Sequence, residues 1–199
     1  MLGGVVRGRR ATLRVTTETD LADHVAWHAD FETTKWLPRR PWPHSLEQRG
    51  EWLKETAKDR TLIHWELEAS GAHVGYCAAR LEWAPMSESW SVDSLFLAPA
   101  ARELELGEDV MAALHRYLVD YLGLAYGEMW LYRDDPFGRR LAESVGYTEF
   151  AHGRDVFYRE GRYWDDWRGL LRADVFRERF PAGVEYPAGA AAPPARESA

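Results

Sequence analysis

The sequence predicts an α+β fold, a mixed α/β sheet of about six to seven strands with helices on both faces. Three observations carry this. Leu62–Ala69, Val74–Trp83 and Trp90–Leu97 are apolar, partly alternating runs joined by short turn-forming segments, which reads as an antiparallel meander. An amphipathic helix then begins near Leu104, with apolar residues at Leu106, Val110, Leu114, Tyr117, Leu118 and Tyr121 and a stop at Gly123. A further strand (Glu128–Tyr132) and helix follow, so strands and helices alternate to the end of the domain.

Taken in order, Ala11–Val15 is a first strand, and Thr19 or Asp20 caps a helix through Leu21, Val25 and Trp27. Pro38, Pro41 and Pro43 interrupt Asp30–His44, a connection that also carries Trp36, Arg39, Arg40, Trp42 and His44. Ser45-Leu-Glu-Gln48 is a capping box for a second helix through Trp52, Leu53 and Ala57. After the meander and the Leu104 helix, Asp135 is placed as an N-cap with Pro136 in the first helical position. Phe137, Leu141 and Val145 share a face of that helix and Gly146 closes it. Phe157-Tyr158, a Gly161 turn and a strand over Tyr163–Leu171 complete the order β-α-α-β-β-β-α-β-α-β.

These elements define an N-terminal arm at 1–10, a domain at 11–180 and a tail at 181–199. Seven Ala, four Pro and two Gly in the last stretch bury too little apolar surface to offset ordering, so disorder is expected there.

Composition narrows the class. No apolar run approaches the ~18 residues of a membrane span. The N-terminal charges follow a short apolar piece, the wrong order for a secretory signal. A single cysteine, Cys77, allows no internal disulfide and no cysteine metal cluster, and no metal-ligand spacing stands out. The expectation is a cytoplasmic protein. A net charge of −7 disfavours nucleic acid and favours cationic partners. Ten tryptophans suit core and pocket lining.

The stretch Asp93–Val110, strand then loop then helix N-terminus, exposes unpaired N–H groups suited to an anion. It resembles the acyl-CoA-binding motif of the GNAT superfamily of N-acyltransferases, with Arg102 and Gly107 at the ends of the loop pattern. Asp135-Pro-Phe-Gly through Gly146-Tyr147 is similar to the family's second motif, with Asp for Asn and Tyr for Phe. Leu13-Arg14, Asp20, Asp30, Trp52-Leu53 and Gly161–Asp165 look like its ribosomal-protein N-acetyltransferase branch, so the likeness spans roughly Arg10–Phe180. It implies a GNAT-like central mixed sheet in which Leu95, Phe96 and Leu97 meet the donor's pantetheine arm beside a splayed neighbour. It also implies that Arg102, Glu103, Leu104, Glu105, Leu106, Gly107 and Glu108 surround its pyrophosphate, with Asp135 and Gly138 nearby. Trp36, Arg39, Trp42 and His44, in the connection between the first two helices, fall where many members bind the acceptor. Acetyl-CoA or another acyl-CoA is the implied donor; a small-molecule amine or a peptide N-terminus is the implied acceptor, and a homodimer is open.

Two departures matter. Glu105 stands where the family has its first loop Gly, and Ala101–Asp109 sets Arg102 against Glu103, Glu105, Glu108 and Asp109, a net of −3. Like charges about 5 Å apart repel by roughly 3 kcal/mol at an effective dielectric of ~20, so weakened donor affinity is expected. The same glutamates also complement a helix dipole without any ligand. Ala142 holds the position where many members carry a general-acid Tyr. Asp93 and Glu82 are the candidates for a base, while His64 and His73 read as packed or surface histidines. The resemblance also admits a carrier-protein or aminoacyl-tRNA donor, or a non-catalytic binding module.

Overall fold

The computed structural model describes residues 1–38, 43–84 and 87–181. The stretch 182–199 and the expected acceptor residues Arg39 and Trp42 lie outside the described residues. An eight-stranded sheet runs in the order β1-β2-β3-β4-β5-β6-β10-β7. Its strands are β1 (Val6–Arg7), β2 (Ala11–Arg14), β3 (Leu62–Ala69), β4 (Ala72–Ala84), β5 (Ser87–Leu97), β6 (Tyr126–Tyr132), β7 (Thr148–Ala151) and β10 (Asp166–Arg172). Every pairing is antiparallel except β5 with β6. The short hairpin of β8 (Phe157–Arg159) and β9 (Arg162–Trp164) stands apart from this sheet.

Two sets of helices cover the faces. The side chains of Leu13, Trp65, Leu67, Cys77, Ala79, Leu97, Met129, Leu131, Trp167 and Leu171 meet α3 (Leu104–Arg116), α4 (Pro136–Val145) and α5 (Ala173–Arg179) in one apolar core. Strand alternation turns His64, Glu66, Tyr76 and Phe96 to the other face, beneath α1 (Leu21–Ala29) and α2 (Leu46–Lys58). Burial on both faces explains why β3 reads as a nearly continuous buried run rather than a clean alternation.

Local signals behave as their chemistry dictates. Ser45 Oγ accepts from Gln48 N at 3.2 Å while Gln48 Oε1 accepts from Ser45 N at 2.9 Å, the reciprocal capping box. The Asp135 carboxylate accepts from the backbone N–H of Phe137 and Gly138 at 3.1 and 3.0 Å, which caps α4. Gly146 ends that helix in the left-handed region at φ 109°.

Several expectations need correcting. Tyr163–Leu171 is not one strand; it breaks at Asp165 into β9 and β10, which belong to different sheets. The four-residue edge strand β7, the two-residue β1 and the helix α5 were not foreseen, being too short to show periodicity. The last turn of the Leu104 helix opens into a π-helical turn at Tyr117–Tyr121, closed by Leu122 N to Tyr117 O at 3.1 Å. That extra residue rotates Tyr121 out to solvent, 65% exposed, instead of onto the apolar face.

Candidate active site

β5 lies between β4 and β6, and it is irregular on both sides. Against β4 the register passes from Ser94 opposite Ala78 to Val92 opposite Ala79, so Asp93 is the extra residue of a β-bulge. Against β6 the parallel ladder covers only Ser89–Val92, opposite Tyr126–Met129. From Asp93 onward β5 keeps β4 and parts from β6, which turns to β10.

That parting opens a cleft of about 640 Å³, counting solvent at its mouth. Val92–Leu95 and Leu97 form one wall and Met129–Leu131 the other. Asp135, Phe137, Gly138 and Leu141 close it from α4, Arg102 stands at its end, and Trp36, Leu37 and Pro38 approach from the connection after α1. Among the described residues the β5–β6 ladder ends at Val92, and the β5 edge beyond it is able to pair with an extended amide-bearing ligand.

A short turn at Pro99–Ala101 leads from β5 into α3, whose N-cap Glu103 makes no side-chain cap hydrogen bond. The free N–H groups of that first turn carry the positive end of the helix dipole. Gly107 lets α3 approach α4 closely: a Cβ there would meet Leu141 Cδ2 at 3.0 Å and Phe137 Cζ at 3.5 Å. Gly138 has a similar reason, since a Cβ would clash with the capping Asp135 carboxylate. Burial raises the Asp135 pKa against the two amide hydrogen bonds that lower it.

The expected site residues divide clearly. Asp93, Leu95, Leu97, Arg102, Asp135, Gly138 and Trp36 all line the cleft. Phe96 points the other way, buried against Tyr76 (ring centroids 5.2 Å) and Trp27 (5.3 Å). Leu106 is buried core and Leu104 packs at its margin, while Glu108 is half-buried. Glu103 and Glu105 are exposed and pair with Arg10 Nη2 and Nη1 at 3.1 and 3.2 Å. Glu82 is exposed opposite Ser89, toward the far end of the β4–β5 ladder from the bulge. His44 is half-buried beside His28 (5.6 Å).

Asp93 is mostly buried at 11% side-chain exposure and lies 3.4 Å from Arg80 Nη2. Sequence periodicity could not show this, because the β-bulge at this point breaks the strand's regular alternation. Other unforeseen neighbours are His28, whose Nε2 lies 2.9 Å from the Tyr76 hydroxyl, and Trp130, a cleft residue overlain by Arg168 (4.3 Å). Burial, with Arg49, His44 and His24 nearby, lowers the His28 pKa to about 4 and keeps the ring neutral.

His24, Glu66 and His73 form a second cluster beneath α1, all of metal-ligating type. Glu66 Oε2 lies 2.8 Å from His24 Nε2 and 2.9 Å from His73 Nε2, and Oε1 accepts from Thr16 Oγ1 at 2.7 Å. Arg49 donates to His24 Nδ1, which fixes that ring's proton on Nε2, pointing at Glu66. A cation there would set an Nδ1–H against a guanidinium. The donor set therefore fits a hydrogen-bonded ion network rather than a metal.

A mixed sheet whose central strand parts from its parallel neighbour at a bulge, with a helix N-terminus beyond the parting, is the architecture of N-acyltransferases. Residues 10–148 match the family model described as an acetyltransferase (GNAT) domain, and the chain belongs to the GNAT acetyltransferase family, a family of transferase enzymes. The fold is similar to that of spermidine N-acetyltransferase from Vibrio cholerae, solved in complex with CoA and spermine (TM-score 0.76, 18% identity, 84% of this chain and 98% of that one). It is also similar to Mycobacterium smegmatis RimJ in complex with CoA-disulfide (TM-score 0.71, 16% identity, 86% and 87%). A GCN5-related N-acetyltransferase from Brucella melitensis is a third (TM-score 0.70, 19% identity, 90% and 81%). No curated protein matches the chain in sequence.

Proposed function

We propose that this enzyme transfers an acyl group, acetyl in the first instance, from acyl-CoA to the primary amine of a small molecule or peptide N-terminus. The observation that carries the reading is the parting of β5 from β6 beyond Val92, which opens a cleft lined by Asp93 and Arg102 with the N-terminus of α3 just past its Arg102 end. The donor supplies an activated thioester carbon and a thiolate leaving group. The chain's own groups fit it: the edge of Asp93–Leu97 pairs with amides, while Arg102 and the uncapped first turn of α3 offer positive charge to phosphates.

Asp93 accepts the proton that an ammonium acceptor must lose before attack, and Arg80 holds its carboxylate in place. A backbone N–H of the β5 edge beyond Val92 polarises the acyl carbonyl. Trp36 and Trp130 give the acceptor side aromatic walls, which with Asp93 and a net charge of −7 favour a cationic organic amine. The CoA and spermine held by the Vibrio cholerae relative support that choice of donor and acceptor class.

Calorimetric titration with acetyl-CoA, followed by thiol-release assays on spermidine and on a short peptide with a free N-terminus, tests this. A donor at 100 times its dissociation constant adds about 2.7 kcal/mol of stability. Absence of both binding and thermal protection sinks the proposal.

A further inference from the structure

The turn between β1 and β2 carries Gly8, Arg9 and Arg10, and a single carboxylate on α3 holds it. Asp109 accepts from the backbone N–H groups of Arg9, Arg10 and Ala11 at 2.8, 2.7 and 2.8 Å. A Cβ at residue 8 would displace that carboxylate from these bonds, so Gly suits the position. The hairpin is thereby fixed to the start of α3, and the Arg10 guanidinium reaches both Glu103 and Glu105.

Helix geometry says which way these acids point. At 3.6 residues per turn Glu105 and Asp109 share one face, and Gly107 lies on the opposite one. Gly107 packs on Leu141 and Phe137, both cleft residues, so Glu105 faces the hairpin and not the cleft.

We infer that Arg10 is a positioning residue for donor affinity, the counter-charge that keeps Glu103 and Glu105 on the hairpin side of α3 and cancels much of their field at the cleft's end. This rests on the acyl-CoA reading above and deepens it. It supplies a reason why Glu replaces Gly at position 105 without closing the site to a polyphosphate. Asp109 brings the hairpin in through main-chain donors, and that hairpin returns a cation to the acidic turn. Arg10 does not touch the donor; it acts through the two carboxylates.

Acetyl-CoA is titrated calorimetrically into the full chain at ~0.02 M and ~0.5 M salt, where screening separates field effects from contact. R10A is expected to bind roughly three- to tenfold more weakly at low salt, with the gap closing at high salt, since exposed pairs are weak and screened. R10M, which keeps the aliphatic stem, should lose as much. R10A/E103Q/E105Q should return to within about twofold of wild type, because the charges needing an answer are gone. The backbone bonds to Asp109 survive in every variant, and melting temperature checks that the hairpin stays docked. Wild-type affinity in R10A and R10M at low salt overturns the inference. So does a triple variant as weak as R10A, which would make Arg10 a direct donor contact. A wild-type chain that binds no acetyl-CoA at either salt overturns the acyl-CoA reading itself, a result distinct from either of these.

Discussion

The Tyr147 hydroxyl lies 2.7 Å from His115 Nε2 in a fully buried junction between β5, α3 and the end of α4. His115 Nδ1 donates to Met111 O at 2.6 Å, so Nε2 accepts from Tyr147, whose oxygen in turn accepts from Trp90 Nε1 at 3.2 Å. The polar side-chain groups of Trp90, His115 and Tyr147 are thus all satisfied within this junction. Tyr147→Phe fills the same space but orphans the Trp90 donor and the His115 acceptor. It should cost about 1–3 kcal/mol in urea unfolding; a loss under ~0.5 kcal/mol would mean the network adds nothing.

His115 also sets a pH dependence. Burial lowers its pKa from 6.5 to about 4, against the bond to Met111. The unfolded chain therefore takes up the proton first as pH falls, and the stabilisation present above pH 6.5 is lost between 6.5 and about 4. At ~1.36 kcal/mol per unit this amounts to about 3 kcal/mol. His28, at about 4, and His64, at about 3, carry the same sign, burial being the main cause in each. Urea midpoints at pH 7 and pH 4.5 should differ strongly for wild type and less for H115Q. Equal slopes would show that His115 titrates alike in both states.

His73 works in the opposite direction. Burial lowers its pKa, but hydrogen bonds to Glu66 (2.9 Å) and Asp23 (2.7 Å) outweigh it and hold the ring as imidazolium. This stabilisation is complete below the ordinary value of 6.5 and fades as pH rises through the raised folded pKa. H73Q should thus be more costly at pH 6 than at pH 9. Replacing the shared carboxylate with E66Q sets an amide NH2 against buried donors and leaves the His73 imidazolium without its buried counter-charge, an expected cost of about 3–5 kcal/mol in chemical unfolding. A nearly neutral E66Q would show that the cluster repacks around the amide.

Much of the architecture was legible in local pattern. The meander, the amphipathic stripe of α3 and the capping residues Ser45 and Asp135 each write themselves into neighbouring positions. The cleft was legible only through motif likeness, since Asp93, Leu97, Arg102 and Gly138 come from three elements. What could not be read was pairing between residues far apart in the chain. Arg10 meets Glu105 across 95 positions and Asp109 meets the β1–β2 turn across about as many, so the acidic loop looked uncompensated. A π turn and a bulge carry no period at all, and the mostly exposed edge strand β7 shows none.

One such distant pairing holds the Trp36 side of the cleft. Arg159, on the β8–β9 hairpin, donates to the main-chain oxygens of Thr34 (3.1 Å), Lys35 and Leu37 (3.2 Å), while Trp36 meets Tyr132 and Trp164 edge-on. Arg159→Ala should free residues 31–38 and speed their amide hydrogen exchange at least tenfold, with slower change in the β3–β5 amides. Uniform acceleration would indicate global destabilisation instead of a local hinge.

Asp93 is where structure and chemistry meet most directly. It is the extra residue of the bulge, and the cleft receives it on the wall that parts from β6. Arg80, 3.4 Å away, also lies 3.1 Å from Thr61 Oγ1, so the guanidinium is anchored independently of any substrate. Asp93→Asn keeps size and hydrogen bonding but removes the proton acceptor. If Asp93 takes the acceptor's proton, turnover should fall about 10²- to 10⁴-fold. The acetyl-CoA dissociation constant should stay within about twofold, because the backbone edge and the α3 turn are untouched. The loss should also shrink as pH rises, since more of the amine then arrives already deprotonated. Ser94→Ala, on the next residue of the same wall, is the control and should leave turnover within about threefold. A D93N enzyme with near wild-type turnover and an unchanged pH profile would reduce Asp93 to the ion-pair partner of Arg80. Reduced acetyl-CoA affinity with unchanged turnover would place its carboxylate against the donor, and the base would have to be sought elsewhere along the cleft.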